Sequence, residues 1–231
     1  MTERLVLALP SKGRLMEETE KLFADAGLPV RRVGHARGYR GEIEGLPNVE
    51  VAFVSASEIA ERIKSGKAHL GVTGEDLVAE LVPAHRAAVT FLKALSFGHA
   101  NVIVGIPAAW IDVVSMASLE RAAVAFRRQH GRHMRVATKY GRLTRSYFAD
   151  MGVSTYRIVP SLGATEGAPA MGTAELIVDI TTTGKTLEAN GLKVLETILK
   201  SEANLVASKA ATWPPEVREA ENILMKRLGI M

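Results

Sequence analysis

Residues 176–190 read LIVDITTTGKTLEAN, and they combine a strand, a turn and the start of a helix. The first part is an apolar, β-branched run that is typical of a buried strand, which we expect to end at Asp179 and Ile180. A helix is expected to begin near Thr186. A buried strand followed by a short turn and a helix indicates an α/β fold.

The turn offers hydroxyl groups and closely spaced backbone N–H groups at the start of a helix, which together suit a phosphate. A nucleoside-triphosphate P-loop is disfavoured, because that motif needs a glycine where this chain has Asp179. Asp179 could instead accept hydrogen bonds from ribose hydroxyls while the loop holds a 5-phosphate. The alternative is an ordinary turn in which a threonine caps the helix. The candidate phosphate residues are Thr182, Thr183, Gly184, Lys185 and Thr186.

Composition indicates a globular protein of 231 residues, of which 47% are hydrophobic. The chain contains no cysteine, which excludes disulfides, thiolate catalysis and cysteine-based metal sites. The apolar run before Pro10 is too short for a signal peptide or a membrane span, so we expect a cytoplasmic protein. The net charge of +4 favours an anionic ligand, whereas 5% aromatic residues offer no stacking platform for nucleic acid.

The densest basic stretch, residues 127–135, follows an apolar segment with helical periodicity. Cations are favoured at a helix C-terminus, so we interpret this stretch as a solvated helix end. His130 and His133 lack a third ligand at plausible spacing, and no metal site is predicted.

Short apolar runs alternate with helical segments along most of the chain, which is the pattern of an α/β protein. A turn or hairpin is expected at residues 36–46, and helices at residues 15–26, 59–63, 119–126 and 214–228. Strands are predicted at Leu5–Leu9, Val49–Val54, Ala68–Thr73, Asn101–Ile106, Met134–Thr138, Thr155–Val159 and Glu175–Ile180.

The middle of the chain has its own strand and helix repeats, which suggests an inserted domain. We expect one lobe from residues 1–93 and 194–231 and a second lobe from residues 94–193. Two such lobes, joined by crossover strands near residues 90–97 and 193–200, would leave a cleft for a small ligand.

Two further turns follow predicted strands and open helices, where open α/β sheets bind ligands. Lys12 and Arg14 lie at the first of these turns, and Gly74 and Asp76 at the second. Alternatively, Lys12 and Arg14 are simply solvated, and the acid of the second turn serves only the helix N-terminus.

Taken together, five motifs resemble those of the ATP phosphoribosyltransferase family, in that family's order and over nearly the whole chain. These are residues 10–15 (PSKGRL), 71–76 (GVTGED), 137–140 (ATKY), 163–169 (GATEGAP) and 179–192 (DITTTGKTLEANGL). The resemblance implies two periplasmic-binding-protein-like (type II) lobes with the active site in the cleft between them. It also implies a short form that works with a histidyl-tRNA-synthetase-like regulatory subunit as a hetero-oligomer. One departure is Ser55-Ala56-Ser57-Glu58, where many members have Arg-x-x-Asp, so these positions receive no role.

The reaction implied by the resemblance is attack of adenine N1 of ATP on C1 of 5-phosphoribosyl 1-diphosphate, with release of pyrophosphate. The resemblance assigns residues 182–186 to the 5-phosphate and Asp179 to the ribose hydroxyls. Lys12 and Arg14 would neutralise diphosphate or triphosphate charge, with substrate-bound Mg²⁺. Glu166 would orient the ribose or, alternatively, remove the adenine proton. Gly74 and Asp76 complete the candidate substrate-binding set.

Two other functions stay open at the level of sequence. A non-catalytic solute-binding protein could share the two-lobed fold, because fold alone does not determine function. A nucleic-acid-binding protein would explain the basic charge but not the three loops at strand ends.

Overall fold

The computed structural model describes residues 4–34, 38–161 and 163–230. Twelve strands and eight α-helices lie in these ranges. The strands are β1 (Leu5–Pro10), β2 (Val30–Arg32), β3 (Arg40–Ile43), β4 (Leu46–Val54), β5 (Leu70–Gly74), β6 (Val89–Ala94), β7 (Ala100–Pro107), β8 (Met134–Thr138), β9 (Tyr156–Pro160), β10 (Leu176–Thr181), β11 (Leu192–Ser201) and β12 (Ala203–Ser208). The helices are α1 (Gly13–Asp25), α2 (Ala56–Lys64), α3 (Glu75–Leu81), α4 (His85–Ala88), α5 (Met116–His130), α6 (Gly141–Asp150), α7 (Lys185–Ala189) and α8 (Pro215–Arg227).

The chain divides into two compact units, Met1–Gly98 with Glu202–Met231, and His99–Ser201. The limits predicted from the sequence, 93/94 and 193/194, lie five and eight residues earlier. Residues 194–201 belong to the second unit because β11 pairs with β7 along its whole length. The predicted cleft between the lobes stays a prediction.

The first unit is built on a seven-stranded sheet in the order β2-β3-β4-β1-β5-β12-β6. Strands β4, β1 and β5 are parallel. Alternate residues of β1 enter different cores: Leu5, Leu7 and Leu9 pack with residues of α1 and α8, whereas Ala8 packs with residues of α2 and α3. Burial on both faces explains why these central strands read as continuous apolar runs.

The second unit is built on a five-stranded sheet in the order β11-β7-β10-β8-β9. Strands β10, β8 and β9 are parallel, and β7 runs antiparallel to both of its neighbours. A short 3-10 turn, Thr165–Gly167, follows β9. Ile177 of β10 and Leu187 of α7 lie in one buried cluster, which anchors the loop between them to the sheet.

All seven strands predicted from the sequence are present, each within about three residues of its expected ends. The predicted hairpin corresponds to β3 and the start of β4, while residues 36 and 37 lie outside the described residues. Strands β6 and β11 correspond to the crossover strands expected near residues 90–97 and 193–200, whereas β2 and β12 were not predicted. None of the helices in the described ranges is long and apolar enough to cross a membrane.

Candidate functional site

The candidate site lies where β8 and β9 of the second unit end beside their parallel neighbour β10. Val178 of β10 is level with Thr138 of β8, which is level with Pro160 of β9. Asp179, the next residue of β10, therefore lies at the edge of the sheet where the other two strands end. This edge carries a carboxylate at Asp179, a cation at Lys139 and hydroxyl groups from the segment after β9.

A pocket of about 360 Å³ opens at this edge, and it contains most of the residues predicted for the phosphoribosyl group. Gly184 and Lys185 were also predicted, but they do not line it. The lining residues are Glu166, Asp179, Ile180, Thr181, Thr182, Thr183, Thr186 and Leu187.

Asp179 is a half-buried carboxylate at the edge of the pocket. Burial raises its pKa above the ordinary value, and the negative charge of Glu166 acts in the same direction. The backbone N–H of Ile180 donates to Asp179 Oδ1 at 2.8 Å, and this bond lowers the pKa, as do the Lys139 charge and a hydrogen bond with Thr165. The carboxylate is therefore held between groups that favour and groups that oppose its ionised form.

The loop after β10 is shaped by its own hydroxyl groups. Gly184 has a φ of 77°, a left-handed conformation that favours glycine, and its N–H donates to Thr181 Oγ1 at 2.9 Å. The helix that follows starts at Lys185, one residue earlier than expected, and has only five residues. A helix this short adds little dipole, so an anion here depends on hydroxyl groups and side-chain charge more than the sequence suggested.

The three predicted threonines of the pocket differ in their hydrogen bonds. Thr182 donates its hydroxyl hydrogen to the His99 carbonyl at 3.2 Å. Thr183 Oγ1 accepts from the Lys185 N–H at 3.5 Å, which leaves its hydroxyl hydrogen for a phosphate oxygen. Thr186 is exposed in the first turn of α7 and lines the pocket. Thr183 and Thr186 are therefore the better donors.

Lys12 and Arg14 lie in the first unit, at the start of α1. Lys12 is the exposed N-cap residue and contributes no side-chain cap. The Arg14 guanidinium pairs with Glu18 at 3.0 Å on the helix surface, and its side chain is 84% exposed. Only the Arg14 end of the pair is exposed, because the Glu18 side chain is 25% exposed. An anionic ligand that binds the Arg14 guanidinium would therefore leave a partly buried carboxylate without its partner.

The second predicted turn of this unit lies at the end of β5. Gly74 is its last residue and caps α3, and Asp76 is only 6% exposed. This burial favours the role of a helix N-terminal acid for Asp76. Ser55 caps α2 by accepting the Glu58 N–H at 3.2 Å, which gives the segment that departs from the family pattern a structural role.

The basic stretch of residues 127–135, which begins in the last turn of α5, is only partly a solvated helix end. Arg127 and Arg128 are exposed in the last turn, as expected. Arg132 and Arg135, in contrast, both pair with Glu175, the residue just before β10, at 2.9 and 2.7 Å. Within the described residues, no group of three or more His, Asp or Glu side chains is placed to hold a metal ion.

Three residues near the site received no role from the sequence: Lys139, Ser161 and Thr165. Lys139 and Thr165 lie within two of the five motifs, which is the signal that could have pointed to them, whereas Ser161 lies outside all five. Their proximity to Asp179 depends on the order of β8, β9 and β10 in the sheet, which strand patterns do not specify.

Comparison with known proteins gives one consistent family. The sequence profile described as HisG, ATP phosphoribosyltransferase, matches residues 55–228. A protein of Bradyrhizobium diazoefficiens is 56% identical over 99% of this chain and 71% of its own length. One from Rhodopseudomonas palustris strain HaA2 is 57% identical with the same coverage. Both are named ATP phosphoribosyltransferase.

Solved structures agree on the fold. The ATP phosphoribosyl transferase (HisG:HisZ) complex from Thermotoga maritima matches with a TM-score of 0.75 and 24% identity, over 97% of this chain and 96% of that chain. A histidine kinase sensor domain with similarity to periplasmic binding proteins matches with a TM-score of 0.53 and 11% identity, over 98% and 89% of the two chains. The predicted periplasmic-binding-protein-like α/β fold is confirmed.

Proposed function

Because this chain belongs to the ATP phosphoribosyltransferase family, we propose that the pocket after β10 binds the phosphoribosyl group of 5-phosphoribosyl 1-diphosphate. The family reaction joins adenine N1 of ATP to C1 of the ribose and releases pyrophosphate, as the first step of histidine biosynthesis. The observation that carries the proposal is one pocket that combines the carboxylates Asp179 and Glu166 with the loop threonines.

The two carboxylates suit the ribose. Ribose hydroxyls are hydrogen-bond donors, and an ionised carboxylate is a pure acceptor, so Asp179 can hold them through charge-assisted bonds. Glu166 lies close enough to affect the charge of Asp179, and we assign it to orienting the same ring. Lys139 offsets part of the negative charge that these two acids bring together.

The loop suits the 5-phosphate. Thr183 and Thr186 supply hydroxyl donors, Thr182 lines the same pocket, and Gly184 has no side chain to obstruct the approach of the phosphate. Lys185 is exposed beside the loop and adds positive charge. This positive charge is needed because the carboxylates of Asp179 and Glu166 would otherwise repel a phosphate.

In the first unit, we assign Lys12 and Arg14 to the charge of the diphosphate or triphosphate. Both are exposed at the carboxyl end of β1, and Arg14 can exchange Glu18 for a phosphate. Gly74 and Asp76 stay substrate-binding candidates of this unit, with Asp76 the weaker because it is buried.

Mg²⁺ is proposed to arrive with the diphosphate of the substrate. This ion usually keeps several waters and is bound mainly through the phosphates of the substrate. When bound, it would neutralise charge that develops on the leaving pyrophosphate.

Catalysis in this scheme is by positioning and charge neutralisation. The chain holds the ribose by its hydroxyls and its 5-phosphate, which fixes C1 for attack and removes the entropy cost of orienting it. Cations near the leaving group stabilise the charge of the transition state. No covalent intermediate with a side chain is required, and removal of the adenine proton by Glu166 stays the alternative role for that residue.

We further propose that the chain assembles with a HisZ-like regulatory subunit. Support comes from the Thermotoga maritima structure, which is a HisG:HisZ complex with the same fold. The cytoplasmic location expected from the sequence stays a prediction.

Ligand competition tests the assignment of the pocket. Ribose 5-phosphate shares the ribose and the 5-phosphate with the substrate but lacks the diphosphate. It should compete with 5-phosphoribosyl 1-diphosphate in titration calorimetry, whereas adenosine should not. Simultaneous, independent binding of the two sugar phosphates would contradict the assignment.

A further inference from the structure

The outer strand β9 offers an open edge to a further strand. It lies at one end of the five-stranded sheet and pairs with β8 alone, in unbroken register from Tyr156 to Pro160. The other outer strand of this sheet, β11, pairs with two register shifts, and bulges of this kind protect an edge from added strands. Among the described residues of the second unit, β9 is therefore the edge on which a further strand can form a regular ladder.

The backbone groups of β9 can be assigned to its two sides. Just past the strand, the Ser161 N–H donates to the Thr138 carbonyl of β8 at 3.0 Å. Since successive residues of a strand direct their N–H and C=O groups to opposite sides, every second residue before Ser161 also faces β8. Tyr156 and Ile158 then direct their backbone groups to the open edge. Pro160 lies on this side as well, where its missing N–H costs the sheet no bond.

A groove of about 710 Å³ lies along this edge and is lined by residues of α6 and β9. Its charged lining residues are Arg145 and Arg157, both exposed, and none of the described lining residues is acidic. The Arg145 guanidinium donates to the Gly141 carbonyl of its own helix at 3.1 Å. Arg157 is level with Arg135, whose charge Glu175 already neutralises. The groove therefore presents two positive charges without a carboxylate of its own.

The start of β9 is held in place by Glu120 of α5. Glu120 Oε2 accepts the N–H groups of Ser154 and Thr155 at 3.0 and 3.2 Å, and Oε1 accepts both of their hydroxyls at 3.2 and 2.7 Å. Burial raises the pKa of Glu120, but these four bonds together lower it below its ordinary value. The Tyr156 ring packs against Phe148 at 4.8 Å. An edge that is fixed in this way reduces the entropy cost of binding.

We propose that β9 and this groove dock an extended, acidic segment of another protein as an added strand. The backbone of the segment pairs with Tyr156 and Ile158, and its carboxylates bind Arg145 and Arg157. A second copy of this chain is a poorer match, because a two-fold contact through β9 would bring the same arginines together with no acid between them. Nucleic-acid phosphates are also a poorer match, since they have no donor for the outward-facing carbonyls.

The test of charge is fluorescence polarisation with a labelled peptide of about ten residues that alternates valine and glutamate. The protein should bind this peptide and should not bind the same peptide with lysine in place of glutamate. Arg145→Gln and Arg157→Gln should each weaken binding about two- to fivefold. Arg128→Gln is the matched control, because Arg128 is an exposed arginine of α5 that does not line the groove, and it should leave the affinity unchanged.

Backbone pairing is tested with Ile158→Pro. Proline removes the outward-facing N–H and leaves the pairing with β8 intact, so this variant should fold and bind the acidic peptide about tenfold more weakly. Ile158→Ala loses the same side chain, keeps the N–H, and should bind nearly as well as the wild type. If Ile158→Pro does not fold, the acidic peptide with every backbone nitrogen methylated takes its place, and the wild type should not bind it.

Three results would overturn the proposal. The first is no binding of the acidic peptide, or equal binding of the lysine peptide. The second is full binding by folded Ile158→Pro or of the methylated peptide, which would show attraction by charge alone. The third is a wild-type dimer, seen by sedimentation and lost in Ile158→Pro, which would assign the edge to a second copy. The groove shares no lining residue with the pocket after β10, so these results are independent of the proposed function.

Discussion

Thr186 is the side chain that most directly tests the phosphate loop. Thr186→Val should weaken binding of 5-phosphoribosyl 1-diphosphate and leave ATP binding nearly unchanged, because it removes one hydroxyl of the pocket and keeps the volume. A hydrogen bond to a charged group contributes about 1.5–3 kcal/mol, or about ten- to a hundredfold in affinity. Titration calorimetry measures the affinity of each variant for the two ligands. Thr90→Val, at an exposed threonine of the first unit, is the control and should change neither affinity.

Substitution of Asp179 should lower activity without lowering stability. Burial raises the pKa of Asp179, so the ionised form is less favourable in the fold than in the unfolded chain. The free energy of unfolding therefore falls as pH rises from about 3.9, the ordinary value, through the raised value. Asp179→Asn should match or exceed the wild type in melting temperature at pH 7 and lose turnover.

The stability difference between Asp179→Asn and the wild type should shrink below that pH window, where Asp179 is protonated in both states. A variant with wild-type rate constants and a lowered melting temperature would show that Asp179 has a structural role only.

Strand β10 is held at its other end by an ion cluster. Burial raises the pKa of Glu175, but hydrogen bonds from Arg132 and Arg135 outweigh this effect and lower it to about 2. A carboxyl group whose pKa is lower in the folded than in the unfolded chain stabilises the fold above its unfolded pKa of about 4.3. This contribution to the free energy of unfolding disappears as the pH falls towards 2.

Glu175→Gln should therefore reduce the free energy of unfolding by up to about 3 kcal/mol at pH 7 and have little effect near pH 2. Urea denaturation at both pH values measures the difference. Glu44→Gln breaks the exposed pair with Arg31 and should cost less than about 1 kcal/mol at either pH. Equal losses in the free energy of unfolding for the two variants would contradict a stabilising role of the ion cluster of Glu175, Arg132 and Arg135.

The strands of the fold were predictable where burial leaves a clear pattern. Buried apolar runs identify β1, β4 and β10, since the part of a strand that is covered on both faces is apolar. The three-residue edge strand β2 is too short and too charged for such a pattern. Strand β12 was missed because it follows β11 after one residue, without the Gly or Pro that usually separates strands.

The site was predictable only where it is local in sequence. Asp179 lies near the end of one strand and the loop threonines follow that strand, so a single motif contains them. Lys139, whose charge lowers the pKa of Asp179, follows another strand, and the order of the strands in the sheet is a non-local property. For the same reason, the sequence did not reveal that Glu175 pairs with Arg132 and Arg135, which are 43 and 40 positions away. The basic stretch was therefore interpreted as a solvated helix end.

The whole molecule is proposed to depend on a HisZ-like subunit for activity and regulation. The purified chain alone should be weakly active and indifferent to histidine, and addition of that subunit should raise the rate and confer inhibition. Coupling of this kind typically amounts to about 1–3 kcal/mol. Full activity with strong histidine inhibition, in a preparation shown by mass spectrometry to contain this chain only, would contradict the partner proposal and leave the transfer reaction standing.

The most direct test of the central claim is a stoichiometric assay of the transfer reaction. The chain, with and without a HisZ-like subunit, is mixed with ATP, 5-phosphoribosyl 1-diphosphate and Mg²⁺, and pyrophosphate and the nucleotide product are quantified together. We predict one pyrophosphate for each N1-(5-phosphoribosyl)-ATP formed, and none when either substrate is omitted. Pyrophosphate released without ATP, or no phosphoribosylated nucleotide from folded protein in either preparation, would contradict this account.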